Sequence, residues 1–549
     1  MRKLRGNPWA VLVTMGLGFF MTLLDLTIVN IAIPDMMDRL GSSLDQALWV
    51  VSAYALVLAV TLITFGRLGD LRGPRTLFIA GVTLFTLASI ACGLAGTPGL
   101  LIATRAVQGL GAAMMVPQTM VLIMAVFPAE RRGTAMGVWG SIAGVATLSG
   151  PTLGGFLVST VGWRWIFFIN VPIGVAVVVL TLLLVPDIRP ARAHRFDLPG
   201  VLVATAALFC LAFGLQEGER YHWNAGIVAL IAAGLALVAV FVGHQRRRQN
   251  DEPLVPFALF RDRNFTVMTA IVALISMALL GLVLPMNIYL QSVLGMSAVQ
   301  AGLTLAPSPI LSMTAAPFAG RLSDRIGGKN VLLFGLVVYG SGICLVLLLA
   351  GADSSWYTFT LPMAVVGLGT GCLLAPMSSE AMRNVPPQLA GAASGLNNTI
   401  RQIGSVLGAS VVGAVLQSRL TANLHSEAQA RAAELPPASR DGFVGAFSHG
   451  DTPDAGALQS LAADLPAQTA DRLGKLAGEV YDQGFVATMH ASLVLPLSAV
   501  AVAAVLCTLA RNHLSRKTAA APAPVTTEPE PSRSVSFTHI PTPETELKL

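Results

Sequence analysis

Asp25 and Arg105 are the residues of this sequence whose type and position are most suited to chemistry. Asp25 lies deep in an apolar run, where a charge costs about 2.5 to 3.5 kcal/mol on insertion scales. If the two runs cross a bilayer in opposite directions, a rise of 1.5 Å per residue places both side chains about 10 to 12 Å below the same surface. They can therefore form a pair in which the carboxylate gains and loses a proton. A permanent salt bridge is the alternative.

Further polar residues lie near this pair or in later apolar runs. Gln108 lies one turn deeper than Arg105 on the same helix face, and Asn30 lies outward of Asp25, so both are candidates to line one polar pocket. A hydrogen bond between helices explains each equally well. Arg401 and Gln402 form a second candidate polar site. Glu380 is a further candidate for the substrate cavity, and an interfacial position is its alternative, because acids at helix ends are more often interfacial.

The elements that position these residues are predicted to be membrane helices. Of the 549 residues, 54% are apolar and 12% are charged, and the mean hydropathy is +0.69. A soluble domain carries about 25% charged residues, so the low charge of this chain excludes a soluble enzyme. The high apolar content excludes a disordered chain, and the 53 glycines and 32 prolines lack the triplet period of a fibrous chain. The net charge of +6 does not indicate nucleic acid binding, because the basic residues flank apolar runs. The five cysteines lie singly in such runs, which indicates neither a disulfide framework nor a metal site.

Fourteen apolar runs have the length of about 20 residues that a bilayer requires. The first is interpreted as a retained span and not as a signal peptide, because it contains Asp25 and lacks a clear cleavage site. The predicted spans are 9–33, 46–66, 75–95, 98–126, 134–158, 163–186, 198–216, 223–243, 265–290, 298–320, 330–350, 356–379, 391–416 and 486–510.

The distribution of basic residues predicts the orientation. About 25 of the Lys and Arg residues fall on the side of the N-terminus, and only about 3 in the short loops opposite, so both termini are predicted to be cytoplasmic. The segment 418–484 has helical spacing and is predicted to be an external helical loop. The tail, 518–549, is rich in Pro, Thr and Ser and is predicted to be disordered.

An internal repeat divides the chain. GRLGDLRGPR from Gly66 aligns without gaps to GRLSDRIGGK from Gly320, and a fainter repeat pairs the regions after Gly133 and Gly391. Parallel repeats of this kind place a substrate site between the two halves, near the midplane. The predicted domains are a six-helix bundle over 1–190, two inserted spans with a linker over 191–260, and a second six-helix bundle over 261–517 that includes the external loop.

Several segments resemble the fourteen-span drug:proton antiporter family of the major facilitator superfamily. Besides the repeated loop motif, these segments are LDLTIVNIAIP, RAVQGLGAA, GSIAGVATLSGPTLGG, WRWIFFINVPIG and NNTIRQIGSVLG. The resemblance implies two six-helix bundles that rock about a central cavity, and efflux of lipophilic drugs against proton entry. It also implies that Arg105 takes part in proton coupling and that Asp25 binds protons or a cationic substrate.

Two further motifs acquire roles through this resemblance. Gly144, Gly150, Pro151, Gly154 and Gly155 match the antiporter motif of span 5, which is thought to kink the helix and to seal the cavity in one state. Close packing of small residues is the alternative. The loop motif is interpreted as a conformational latch with a cytoplasmic closed state, although plain anchoring by basic residues also accounts for its arginines. The latch residues are Gly66, Asp70, Arg75, Asp324 and Arg325.

The function predicted from the sequence is proton-coupled export of neutral or monocationic lipophilic drugs or antibiotics across a cytoplasmic membrane. The expected energy source is the proton gradient, with no cofactor and no metal, and the expected working unit is a monomer. A proton symporter that imports a nutrient and a non-transporting receptor or scaffold are the alternatives. A membrane enzyme would need clustered His, Cys or acidic groups in the spans, and the sequence has no such cluster.

Overall fold

The computed structural model describes residues 6–187, 197–218, 220–221, 223–249, 253–447, 455–463 and 466–510. Across these ranges the secondary structure is helical, without a β-strand. The predicted disordered tail lies outside the described residues. The helices are α1 (Pro8–Leu40), α2 (Leu44–Arg72), α3 (Pro74–Gly93), α4 (Pro98–Val126), α5 (Arg132–Val161), α6 (Trp165–Phe168), α7 (Asn170–Leu184), α8 (Leu198–Glu217), α9 (Ala225–Arg247), α10 (Arg263–Ile288), α11 (Ala298–Leu305), α12 (Pro307–Ile326), α13 (Gly328–Leu349), α14 (Thr360–Met382), α15 (Ala390–Ala432), α16 (Pro437–Gly445), α17 (Ala455–Ala463) and α18 (Ala467–Leu509).

Thirteen helical segments of the described ranges are long and apolar enough to cross a bilayer. One of them joins α6 and α7, and another extends α10 through a π-helical turn to Val293. The predicted span over 298–320 is divided in the structure into α11 and α12, and α12 is not among the thirteen. The count of fourteen spans and the side on which the termini lie therefore stay predictions.

The two copies of the loop motif form the same helix junction. Gly73 separates α2 from α3 with a φ of 94°, and Gly327 separates α12 from α13 with a φ of 91°. Residues with a side chain rarely adopt these angles, so glycine is required at both positions. Each junction leaves an aspartate, Asp70 or Asp324, in the last turn of the preceding helix.

Two equivalent contacts join the N-terminal helices to the C-terminal ones. α2 packs on α15, and α12 packs on α5. Both contacts depend on glycine, because a Cβ on Gly66 would lie 2.5 Å from the carbonyl oxygen of Gly391 and one on Gly133 would lie 2.7 Å from that of Gly320. The helix backbones therefore approach each other directly, and the starts of α15 and α5 lie beside the two loop motifs.

The predicted inserted pair, α8 and α9, is a helix hairpin joined by a polar cluster. Asp197 caps α8 by accepting from Gly200 N at 3.1 Å, and it also accepts from Gln245 Nε2 at 2.7 Å. Its carboxylate is 3.0 Å from His244 Nε2. Burial raises the pKa of Asp197, but the hydrogen bonds from His244, Gly200 and Gln245 outweigh burial and bring the pKa below its ordinary value.

Most of the described part of the 418–484 segment is helical. α15 and α18 each continue well beyond their predicted spans, and α16 and α17 lie between them. Asn423 of α15 donates to Thr488 of α18 at 3.0 Å, and Phe443 and Phe447 are buried. These contacts tie the segment together, while its position outside the membrane stays a prediction.

Candidate functional site

Asp25 and Arg105 form an ion pair between α1 and α4, and neither side chain has any exposed surface. Gln108 Nε2 and Asn170 Nδ2 donate to Asp25 Oδ1 at 2.9 and 3.1 Å. Arg105 donates to the other carboxylate oxygen, Asp25 Oδ2. It also donates to Gln108 Oε1 at 2.8 Å and to the carbonyl oxygen of Val50 at 3.0 Å. The carboxylate of α1 is therefore held by three donors from two other helices, α4 and α7.

An aromatic side chain completes this cluster. The Arg105 guanidinium carbon lies 4.4 Å from the ring centroid of Tyr54, in cation–π geometry. Tyr54 reaches this position because α2 and α4 touch at Gly109, where a Cβ would lie 2.6 Å from the Tyr54 carbonyl oxygen. Arg105 Nη2 and Asn170 Oδ1 are buried and have no hydrogen-bond partner among the described residues.

The arrangement couples the protonation of Asp25 to the position of Arg105. Removing one partner of a buried ion pair costs about 3 to 5 kcal/mol, because the other charge remains buried without compensation. Protonation of Asp25 would leave the Arg105 charge in this situation, so the guanidinium must move, or the cluster must open to water. A change in the charge of Asp25 would therefore act on the packing of α1 against α4.

Two aspartates bind the starts of helices from the opposite half. Asp70 accepts from Gly391 N at 2.6 Å and from Ala392 N at 2.8 Å, which we call the Asp70 latch. Asp324 accepts from Gly133 N and Thr134 N, both at 2.8 Å, and from Thr134 Oγ1 at 2.7 Å, which we call the Asp324 latch. A negative charge at a helix N-terminus is favourable. Both latches are engaged, so the two halves are joined on this side.

Arg401 and Gln402 point to different surroundings although they are adjacent on α15. Arg401 donates to Asn398 Oδ1 and is partly exposed. Gln402 lines a small pocket together with Val60 of α2 and Leu211 of the inserted helix α8. Asn30 is exposed and donates to Leu26 O of its own helix, so the structure does not bring it into the Asp25 cluster.

Comparison with known proteins identifies the family. The Major Facilitator Superfamily model matches residues 15–409.

The chain belongs to the major facilitator superfamily.

Its relatives within the superfamily include resistance proteins. The chain is 40% identical to the MFS-type transporter Rv1250 of Mycobacterium tuberculosis, over 80% of this chain and 78% of that protein. It is 33% identical to the tetracenomycin C resistance and export protein of Streptomyces glaucescens, over 91% and 92% of the two chains. It is 38% identical to the multidrug resistance protein Stp of Mycobacterium tuberculosis, over 75% and 76%.

A solved superfamily structure has the same fold. The proton:xylose symporter XylE aligns with a TM-score of 0.54 at 14% identity, over 85% of this chain and 98% of that one. Family membership and the thirteen apolar helices make the protein a multi-pass membrane transporter, and not an enzyme.

The glycines of the span-5 motif contact two different helices of this superfamily transporter. A Cβ on Gly144 would lie 2.9 Å from Met313 of α12, and one on Gly154 would lie 2.9 Å from Ile28 of α1. Gly150 lies against Thr27 of α1, whereas a Cβ on Gly155 would meet open space. α5 is one continuous helix through Pro151. It packs between the halves with the latches engaged.

The remaining candidates are distributed around the latches. Arg75 donates to Leu182 O at 2.8 Å within the N-terminal half, and Arg325 is exposed. Glu380 accepts from Gly328 N at 3.2 Å at the start of α13 and pairs with Arg383 at 3.3 Å. Glu380 therefore lies beside the Asp324 latch, and both acids line the same small pocket.

Sequence reasoning missed Tyr54 and Asn170 as members of the Asp25 cluster. Asn170 lies inside WRWIFFINVPIG, and the available signal was a lone amide in an otherwise apolar segment. Tyr54 gave no comparable signal, because an aromatic residue in a membrane helix is ordinary.

Proposed function

We propose that this superfamily transporter is a proton-coupled antiporter that exports lipophilic drugs or antibiotics by alternating access. The observation that carries the proposal is the sealed Asp25 carboxylate, held by Arg105, Gln108 and Asn170. A buried ionisable group in a membrane segment marks a proton or substrate pathway by default. Export is further supported by the names of two relatives, a resistance and export protein and a multidrug resistance protein.

In the proposed cycle, Asp25 carries the proton and Arg105 transmits its arrival. The carboxylate has no exposed surface in the described state, so a drug does not touch it there. Protonation of Asp25 weakens its hold on Arg105, the cluster opens, and the affinity of the substrate site between the two halves for drug falls. Binding is reciprocal, so drug binding lowers the affinity for the proton by the same factor.

The latches define one end state of the proposed cycle. Opening on their side breaks four hydrogen bonds from backbone N–H groups to Asp70 and Asp324. We assign this side to the cytoplasm, because the basic residues of the short loops lie there. The protein then sits in a cytoplasmic membrane and works as a monomer.

The proton gradient suffices for this task. One proton per cycle supplies about 2.3 kcal/mol per 100 mV of potential and about 1.4 kcal/mol per pH unit. At 100 mV and one pH unit, a neutral compound can be concentrated by about several hundredfold.

The test is transport in inverted membrane vesicles, with a panel of lipophilic compounds of each charge type and with or without an imposed pH gradient. We expect accumulation of at least one compound that collapses when the gradient is dissipated, together with proton movement in the opposite direction. Proton and solute moving in the same direction would indicate the nutrient symporter. Absence of solute-dependent proton movement for the whole panel would contradict the proposal.

A further inference from the structure

The C-terminal half contains a guanidinium without a carboxylate partner at the depth of the bilayer midplane. Arg401 is eleven residues after the start of α15 at Ala390, which places it about 16 Å along a helix that crosses a core of about 30 Å. A charge at this depth is costly and marks function. Among the described residues, no carboxylate lies within ion-pair distance of Arg401, whereas Arg105 forms an ion pair with Asp25.

The surroundings of Arg401 are rich in unused donors. Its only described hydrogen bond goes to Asn398 Oδ1, and the Asn398 amide group in turn donates to Ser394 O at 2.9 Å. Asn397, four residues before Arg401 and therefore on a neighbouring part of the same face, is 6% exposed. Its Nδ2 is buried without a hydrogen-bond partner in the described part of the chain. The site thus contains a guanidinium with one described hydrogen bond and, near it, a buried amide nitrogen with none.

The contacts of α15 show where this face points. Ser394, seven residues before Arg401, donates to Pro117 O of α4 at 3.0 Å. Seven residues are almost two helical turns, so Arg401 lies on the same stripe of α15 as Ser394. Gly404 and Gly408, three and seven residues after Arg401, continue this stripe and lie against α10, whereas Gln402 faces α2 and α8. Arg401 therefore lies between the contact of α15 with α4 of the N-terminal half and its contact with α10.

We propose that Arg401, oriented by Asn398 and assisted by Asn397, is a subsite for a negatively charged oxygen group on a lipophilic substrate, a carboxylate or a phenolate. The planar guanidinium matches two oxygens of a carboxylate, and partial exposure leaves it accessible. The proposal rests on the proposed function, since it names the class of substrate. The proposal revises the sequence expectation of a neutral or monocationic drug. The charge of Arg401 would repel a monocation, and the charge of Asp25 is already compensated by Arg105.

The charge of the substrate decides how steeply its export depends on membrane potential. When a monoanion leaves and a proton enters, two charges move in the same electrical sense, against one for a neutral drug. Export of a lipophilic weak acid should therefore respond to membrane potential about twice as steeply as export of its neutral ester.

The test uses 1-pyrenebutyrate and its methyl ester, which share a fluorescent apolar body and differ in charge. Binding to the purified full chain is measured at pH 7.5 in detergent micelles, with the signal of empty micelles subtracted. We expect the acid to bind at least tenfold more tightly than the ester, because a hydrogen-bonded charge pair at a partly buried site has about this effect. Equal affinities for the two compounds would overturn the proposal.

Variants test whether Arg401 causes the preference for the acid over the ester. Arg401→Gln should weaken binding of the acid at least tenfold and leave the ester unchanged, and the ester affinity reports that the variant is folded. Arg401→Lys should retain part of the preference. Arg419→Gln removes the same charge from an exposed position of the same helix and should behave as wild type, which excludes a general effect of net charge. Retention of the full preference in Arg401→Gln would refute the assignment.

The results distinguish a failure of the Arg401 subsite from a failure of the proposed function. The binding experiment needs neither a gradient nor turnover, so a transporter that exports only neutral compounds would fail here and still pass the vesicle assay. A protein that binds the acid without coupled transport would give the opposite result.

Discussion

Asp70→Asn should shift the equilibrium of the two halves toward the state that is open on the latch side. Asp70 accepts two short hydrogen bonds, from Gly391 N at 2.6 Å and Ala392 N at 2.8 Å, and Arg67 lies 3.7 Å away. Asparagine keeps one acceptor oxygen but turns an NH₂ group toward the second backbone N–H. One charge-assisted hydrogen bond, worth about 1.5 to 3 kcal/mol, is lost. We expect a shift of about 2 kcal/mol, which is about 30-fold in the equilibrium constant.

The assay is a distance measurement between spin labels at Glu130 and Gln388, in a background without the five native cysteines. Both positions are exposed, and each lies just before the latched start of a helix, α5 or α15. Wild type should give mainly the short distance, and Asp70→Asn should add a population at a longer distance. Turnover should fall far more than drug affinity, because Asp70 lies away from the midplane.

Matched variants sharpen this test. Asp324→Asn removes the equivalent charge from the second latch and should act in the same direction. Asp353→Asn removes a charge from an exposed loop and should change nothing. A distance distribution and turnover like those of wild type in Asp70→Asn would refute the latch.

Three further pairs of variants probe packing, topology and the cation–π contact. Gly109→Ala should lower the melting temperature, because its Cβ would lie 2.6 Å from the Tyr54 carbonyl oxygen. Gly155→Ala, whose Cβ would meet open space, should leave the melting temperature unchanged, and equal melting temperatures of the two variants would contradict this packing. A cysteine at Asp353 should label from outside intact cells and one at Arg247 should not, and the reverse pattern would invert the predicted orientation. Tyr54→Phe should retain coupling, since the ring over Arg105 remains, whereas Tyr54→Ala should displace the pH profile of transport; an unchanged profile would remove Tyr54 from the site.

The membrane helices and the central ion pair were predictable because the bilayer imposes strict requirements. A span needs a long apolar run, and a buried carboxylate needs a partner at its own depth, which together indicated that Asp25 and Arg105 could meet. The segment 298–320 shows the limit of this reasoning. A run of suitable length there is divided between α11 and α12.

Side-chain surroundings were less accessible to sequence reasoning. Asn30 lies one and a half turns from Asp25, but it faces away from the ion pair and bonds to its own helix. The sequence offers Glu380 as a candidate for the substrate cavity, whereas its observed place at the start of α13 depends on a contact between distant segments. Packing at positions such as Gly109 decides which face of a helix meets which neighbour. These contacts join segments that are distant in the chain, so they could not be predicted from a single sequence.

Proton coupling through Asp25 is tested most directly by Asp25→Asn in proteoliposomes, with drug-induced proton flux and drug efflux recorded together. Asp38→Asn, an exposed acid of the same helix, serves as the matched control. We predict that Asp25→Asn abolishes drug-induced proton flux and uphill efflux but leaves downhill exchange of a neutral drug, while Asp38→Asn behaves as wild type. Uphill, pH-driven efflux at the wild-type rate in Asp25→Asn would contradict the account and direct attention to Glu380.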